Sequence, residues 1–91
     1  MKKIIYKKTK EILKHFNGKA ILINIMGIIT QTINIQNSKI YFYKNKLIIN
    51  ECNTEKINID INWVANFYSN EDNTIVKLEF DQTGYIEIHI I

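Results

Sequence analysis

The apolar residues of the N-terminal segment recur at helical spacing. Asn17-Gly18 follows them as a stop signal, because glycine accepts the left-handed conformation just past a helix end. The pattern therefore predicts a helix from about Tyr6 to Phe16. Its buried stripe is expected to contain Ile5, Thr9, Ile12, Leu13 and Phe16.

After Gly18 the period of the apolar residues changes to two, which is typical of β-strands. Residues 21–26 alternate, Gly27 ends that run, and residues 29–36 form a second alternating segment with one polar face. Asn37-Ser38 then predicts a turn.

A hairpin is predicted next, from strands at 40–43 and 46–50 joined by the two-residue loop Lys44-Asn45. One face of this hairpin is apolar, and the other shows Tyr41, Tyr43, Lys46 and Ile48. The expected cross-strand pairs are Ile40 with Ile49, Phe42 with Leu47, and Tyr43 with Lys46.

Residues 51–56 are predicted to form a loop, and residues 57–67 a strand in which every odd position is apolar. An unbroken strand of that length would measure about 35–40 Å, which is long for a small domain. We therefore expect a bend or bulge near 60–62. A short helix at 62–67, capped by Asp60, is the alternative, so the pattern leaves open whether Ile61–Phe67 is a bent strand or a short helix.

The last third of the chain predicts a second hairpin. Residues 74–80 are predicted to form a strand with one core face, and residues 81–84 a turn. The returning strand is predicted to place Ile86, Ile88 and Ile90 on the same core face. Gly84 ends a three-residue loop, where a bulged hairpin requires a left-handed residue.

These elements predict one mainly β domain over residues 1–91 (α+β by strict count), with an N-terminal helix followed by about six antiparallel strands. The strands would form a meander closed into a small barrel or a strongly curved sheet, with an Sm/SH3-like barrel as the alternative. Ile48, Ile75 and Ile91 are expected to face outward. The expected core consists of Ile21, Ile23, Ile25, Ile33, Phe42, Leu47, Ile59, Trp63, Leu78, Phe80, Ile86 and Ile88.

The segment Ile21 to Ile35, with its apolar alternation around Gly27, resembles the opening of Sm-like small barrels. That family's first motif has a second glycine, and here Thr30 to Thr32 occupy its place. The aspartate–asparagine pair that binds uridine and the family's second motif are also absent. The resemblance therefore implies a similar topology over the first half of the chain, and RNA binding is not carried over with it.

Composition points to the source of the sequence. Isoleucine occurs 21 times, asparagine and lysine 12 times each, and arginine and proline are missing. Since this is the pattern of A/T-rich codons, we expect a low-GC bacterium, its plasmid or its phage. A single cysteine, Cys52, excludes an internal disulfide framework, and the chain shows neither a convincing signal peptide nor an apolar membrane span. These features predict a cytoplasmic protein that does not enter a membrane.

Charge is unevenly distributed along the chain. Residues 1–50 hold ten lysines and one acid, whereas residues 51–91 hold two lysines and eight acids. The basic charges of residues 1–50 and the acidic charges of residues 51–91 could attract each other between protomers or bind different partners. Alternatively, they could interleave on one surface and leave little net field. Lysines at helical spacing and lysines beside the hairpin tyrosines form the candidate binding surface, which consists of Lys3, Lys7, Lys10, Lys14, Lys39, Tyr41, Tyr43, Lys44 and Lys46.

Residues able to carry catalysis are few. His15 and His89 are the only histidines, and no spacing of histidine, cysteine and acids suits a metal. His89 shares a predicted strand face with Glu87 and Tyr85, which makes a Glu–His contact conceivable. Cys52 has no flanking base and is expected to be an inert thiol. We therefore expect no catalytic residue, no metal site and no cofactor.

The sequence favours a small, non-enzymatic binding or antagonist protein of the mobile-element, phage-like type, an inhibitor that acts by oligomerising or by masking a partner. The expected partners are a second copy of the chain, through edge strands or the Tyr41/Tyr43 face, and a protein or a small anionic ligand. The alternative function is a nucleic-acid-binding small β-barrel, Sm-like or a single-strand binder, in which bases stack on the tyrosines while lysines follow the phosphates.

Overall fold

A computed structural model describes all 91 residues as nine strands, one α-helix and one 3₁₀ turn. The bounds are β1 Lys2–Ile4, α1 Tyr6–Lys14, β2 Ile21–Met26, β3 Gln31–Ile35, β4 Ser38–Tyr43, β5 Lys46–Glu51, β6 Thr54–Asp60, the 3₁₀ turn Ile61–Trp63, β7 Val64–Ser69, β8 Ile75–Phe80 and β9 Gly84–Ile90. The prediction of a mainly β chain with an N-terminal helix is confirmed.

All strand pairs are antiparallel and belong to two sheets. The larger sheet has the strand order β1-β7-β8-β9-β2-β3, and the smaller sheet has the order β4-β5-β6. The last strand, β9, pairs with β2, so strands of the lysine-rich and acid-rich halves lie side by side in one sheet. The expected closure into a small barrel, including the Sm/SH3-like alternative, is not observed, because the strands divide between two open sheets. Nine strands are observed where about six were expected, because β1 was not predicted and the turn divides the predicted strand 57–67 into β6 and β7.

The core lies between the inner faces of the two sheets and the helix. Along each strand, alternate residues point toward the core and toward the outer face. In the β4–β5 hairpin all the expected cross-strand pairs are observed, including Phe42 with Leu47. The expected core residues Ile21, Ile23, Leu47, Ile59, Leu78, Ile86 and Ile88 are buried, and Ile25, Ile33, Phe42 and Phe80 are half-buried against them.

Helix α1 covers one side of this core with Thr9, Ile12 and Leu13, and Phe16 is buried just beyond its end. Ile5 was expected in this stripe but is exposed, because it is the N-cap residue and its backbone is still extended. The helix ends at Lys14, two residues before the predicted end, although His15 and Phe16 still donate their backbone N–H groups to Ile12 and Leu13. None of the helices is long and apolar enough to cross a membrane.

The 3₁₀ turn Ile61–Trp63 carries the chain from the smaller sheet to the larger one. The Asp60 carboxylate accepts a hydrogen bond from the backbone N–H of Asn62 at 3.0 Å and thereby caps the turn. The expected interruption near 60–62 is therefore present, as a turn between two strands. Trp63 was wrongly expected in the core, because the turn breaks the alternation and projects the indole outward with 73% of its surface exposed.

Two further expectations from the alternation are corrected. Residues 51–56 are not a loop: only Cys52 and Asn53 turn the chain, and Thr54 already opens β6. Ile48 points to the outer face, as expected, but is buried, because it lies on the central strand β5 between Tyr41 of β4 and Asn58 of β6. Ile75 is half-buried, whereas Ile91 is exposed.

Two turns meet closely at one end of the larger sheet. Gly84, which opens β9, has a φ of +108°, so the left-handed backbone expected there is observed. A Cβ at Gly84 would fall on the carbonyl oxygen of Met26 and lie 2.8 Å from the Cα of Gly27. A Cβ at Gly27 would lie 2.8 Å from the carbonyl oxygen of Thr83. Glycine at both positions therefore lets the β2–β3 and β8–β9 turns touch through their backbones.

Candidate functional site

The structure brings the hairpin part of the predicted binding surface together. Lys39, Tyr41 and Tyr43 alternate along the outer face of β4, Lys46 pairs with Tyr43 from β5, and Lys44 lies in the connecting turn. Both tyrosines are exposed. We call this set the basic hairpin face.

Within the basic hairpin face, two of the lysines already contact the two tyrosine rings. The Lys39 ammonium lies 5.9 Å from the centre of the Tyr41 ring, and the Lys44 ammonium lies 5.5 Å from that of Tyr43, both within cation–π range. Asp60 stands opposite Lys46 on β6 and places a negative charge on the same sheet. A stacked base would therefore have to displace two lysines and approach this carboxylate.

The helical lysines do not all join this face. Lys3 was expected on the helix but belongs to β1, where it pairs with Tyr68 of the larger sheet. Lys7, Lys10 and Lys14 are on the helix and exposed. The Lys10 ammonium is 4.7 Å from the centre of the Tyr6 ring, whose centre is 5.9 Å from that of Phe42, and Phe42 packs on the inner face of β4, opposite the basic hairpin face. Burial against these neighbours raises the pKa of Tyr6.

A second surface, which the sequence did not predict, groups three of the exposed large apolar side chains. Ile28, Ile29 and Trp63 are 102%, 77% and 73% exposed, and they border one shallow cleft of about 350 Å³. Met26 and Phe80 line the cleft beside them. We call this set the apolar end.

Local structure explains why these side chains are outside. Ile29 was expected to open a strand at 29–36, but β3 begins only at Gln31, so Ile28 and Ile29 lie in the turn between β2 and β3, where no partner strand covers them. Trp63 projects from the 3₁₀ turn. A signal was present in the sequence: Gly27-Ile28-Ile29-Thr30 has two large apolar residues directly after a strand-breaking glycine. Large apolar residues at such a turn lie outside the alternation that would bury them.

A third surface is the outer face of the larger sheet, where one polar row crosses all six strands. The Lys77 ammonium lies 4.2 Å from the centre of the Tyr85 ring and 5.6 Å from that of Tyr68. In strand order the row consists of Lys3, Tyr68, Lys77, Glu87, Asn24 and Thr32.

The carboxylates of this face are held by neighbours within the sheet. Glu79 accepts hydrogen bonds from Asn66 at 3.0 Å and from the Tyr68 hydroxyl at 3.4 Å. Desolvation, followed by the charge and the hydrogen bond of Glu79, raises the pKa of Tyr68. His89 lies 3.0 Å from Glu87, so the conceivable Glu–His contact is present. The two side chains are about three-quarters buried.

The remaining candidate residues do not converge on one place. Cys52 is exposed in the β5–β6 turn with a φ of +56°. His15 lines a polar cleft of about 430 Å³ between the helix and the β7–β8 turn, together with Glu11 and Asp72. No three histidine, cysteine or acidic side chains are grouped so that they could hold a metal ion.

Comparison with protein-family models, with curated proteins and with solved structures finds no match to this chain. The choice among the three surfaces therefore rests on their geometry.

Proposed function

We propose that the protein is a non-enzymatic binding protein that masks a surface of a protein partner with its apolar end. The observation that carries the proposal is the exposure of Ile28, Ile29 and Trp63 around one cleft. Single exposed apolar residues are ordinary on a soluble domain, whereas grouped ones, particularly with tryptophan, are typical of interaction sites.

The energetics favour covering this end. Taking a large apolar side chain out of water contributes about 1.5–3 kcal/mol. The three exposed side chains of the apolar end, Ile28, Ile29 and Trp63, each present at least 73% of their surface to solvent. The backbones of the β2–β3 and β8–β9 turns are in direct contact at Gly27 and Gly84, and this contact holds the surface in place. A preformed apolar surface loses little entropy on binding, which supports a contact role for it.

The wider setting is part of the same proposal. The A/T-rich composition and the small size favour a chain of mobile-element, phage-like origin whose partner is a host protein. The single free cysteine supports action in the cytoplasm. A small anionic ligand is the lesser partner, and the lysines of the basic hairpin face are the residues that would receive it.

The experiment compares two serine variants of equal side-chain chemistry. Ile29→Ser removes an isoleucine 77% exposed at the apolar end, and Ile5→Ser removes one 69% exposed before the helix. Affinity-tagged protein is used to recover partners from cells of a low-GC bacterium, and each recovered partner is tested again with purified components. We expect Ile29→Ser to weaken the purified complex at least tenfold and Ile5→Ser to leave it unchanged.

Two outcomes would contradict the proposal. Equal binding by Ile29→Ser and the wild type would show that the apolar end is not the contact. Equal loss in both variants would show a general effect of exposed isoleucines. Trp63 is the only tryptophan of the chain and belongs to the apolar end, so its fluorescence reports directly whether this end becomes covered.

A second candidate function, single-strand nucleic-acid binding, is supported by the placement of Tyr41 and Tyr43 on one face with Lys39, Lys44 and Lys46. Aromatic rings can stack bases while lysines follow the phosphates. The eight acids of residues 51–91 and the missing arginines, which are best suited to phosphate contacts, disfavour it.

Fluorescence anisotropy with labelled mixed-sequence RNA and DNA strands separates the two functions. Partner masking predicts no detectable binding at physiological salt. Nucleic-acid binding predicts micromolar affinity that falls by about 0.7 log unit per log unit of salt for each phosphate neutralised. It also predicts a cost of roughly 1–3 kcal/mol per stacked base in the Tyr41→Ala/Tyr43→Ala variant.

A further inference from the structure

The two open sheets leave four edge strands, and three of them are protected. An unprotected edge offers free backbone groups to any other strand, so proteins cover edges or place charges on them. β1 has three residues, of which two are lysines, and β6 carries Glu55, Lys56 and Asp60.

The edge strand β4 is covered by the chain itself. The backbone N–H of Ser38 donates to the carbonyl of Lys19 at 3.2 Å, and that of Ile40 donates to the Asn17 side chain at 2.9 Å. The Ser38 carbonyl accepts from Gly18 at 2.7 Å. The segment after the helix therefore occupies the first half of this edge, and Lys39 and Lys44 flank the rest.

The edge strand β3 has neither protection. Its sequence, Gln-Thr-Ile-Asn-Ile, contains no charge, and residues 20–38 form the longest uncharged stretch of the chain. No backbone hydrogen bond joins residues 31–35 to anything except β2. The backbone groups that point away from β2 are therefore free to pair.

We propose that β3 pairs antiparallel with β3 of a second copy, centred on Ile33, and joins two six-stranded sheets into one. Charge selects β3 as the edge for a second copy: two copies meeting at β1 would oppose lysines, whereas β3 carries no charge. The pairing is isologous, so it closes after two copies and leaves no free β3 edge for further growth.

The centre on Ile33 makes the strand complementary to itself. On the inner face, Ile33 meets the partner's Ile33, and Ile35 meets the partner's Gln31. On the outer face, Thr32 meets the partner's Asn34, and both side chains are exposed in the single chain. Side chains directly opposite each other on paired strands interact most strongly. Charged residues introduced at positions 32 and 34 therefore test this register. The inference uses β3 and does not depend on the apolar end.

The test is the solution mass of three variants, measured by light scattering at high micromolar concentration. We expect the wild type at twice the 10.8 kDa chain mass. Thr32→Lys/Asn34→Lys places lysine opposite lysine in both halves of the interface, and we expect the mass to fall twofold. Thr32→Lys/Asn34→Glu places lysine opposite glutamate, and we expect the dimer to return.

Both double variants lose the same hydrogen bond from Thr32 to Asn24 (3.1 Å), so they are matched in that respect. Circular dichroism and thermal unfolding verify that each is folded. Asn58→Lys on the edge strand β6 serves as the control and should leave the dimer intact. A monomeric wild type, a dimeric lysine–lysine variant or a monomeric lysine–glutamate variant would each overturn the proposal.

Discussion

Replacing Gly84 by alanine tests the close contact between the β2–β3 and β8–β9 turns, on which the apolar end is built. The backbone at Gly84 has a φ of +108°, where an L side chain is strained at a cost of roughly 1–3 kcal/mol. The added methyl group would also collide with the Met26 carbonyl, and overpacking adds about 1–3 kcal/mol because backbone must move. A domain of this size has only about 5–15 kcal/mol of stability.

Gly18→Ala is the matched control. Gly18 has a φ of +82°, but no atom lies within 4 Å of an added Cβ, so only the backbone strain of about 1–2 kcal/mol applies. Thermal unfolding followed by circular dichroism measures both variants, and 1 kcal/mol corresponds to about 4–8 °C in melting temperature. We expect Gly84→Ala to lower the melting temperature by at least about 10 °C and clearly more than Gly18→Ala. Equal shifts in the two variants would refute the close contact.

Three further predictions address the polar face, the β7–β8 turn and the core. Tyr68 should titrate above the ordinary value of 10.0 because burial and Glu79 disfavour its charged form, and Glu79→Gln should lower the pKa of Tyr68 in an NMR titration. Since folding raises that pKa, the free energy of unfolding should fall as the pH rises above about 10, and it should fall less steeply in Glu79→Gln. If the Tyr68 titration were the same in Glu79→Gln and the wild type, the contact between Tyr68 and Glu79 would be excluded. The Asn70 side-chain oxygen accepts from the backbone N–H groups of Thr74 and Ile75 at 2.9 and 3.0 Å, so Asn70→Ala should cost about 1–3 kcal/mol in denaturant unfolding, whereas Asn70→Asp, which keeps an acceptor, should cost less. Leu13→Ala should cost about 2–5 kcal/mol by the same assay, because Leu13 is fully buried and leaves a cavity, and a loss below 1 kcal/mol would contradict the helix packing.

The fold could be predicted from the sequence wherever alternation and turn chemistry agreed. The β4–β5 hairpin has the expected register because its apolar face and its two-residue loop demand the same pairing. Alternation specifies which face of a strand is buried and says nothing about which strands become neighbours. The pairing of β2 with β9 and the division into two sheets therefore lay beyond the sequence pattern.

The candidate surfaces show the same division between local and tertiary information. Tyr41, Tyr43 and their lysines come together because they share one hairpin. Lys3 could not be placed correctly, because its spacing to Lys7 fits a helix equally well, whereas pairing with Tyr68 places it in β1. Trp63 was expected inside because it continued the odd-numbered alternation, and only the turn that begins after Asp60 projects it into solvent.

The central claim is that the apolar end contacts a protein partner, and site-specific photocrosslinking tests it most directly. A photoreactive phenylalanine analogue is placed at position 63, and in a second variant at position 5, which is similarly exposed on another surface. Both variants are expressed in cells of a low-GC bacterium and irradiated. We predict one defined adduct with a host protein from position 63 and none from position 5. No adduct from position 63, the same adducts from both positions, or an adduct only with a second copy of the chain would contradict the claim.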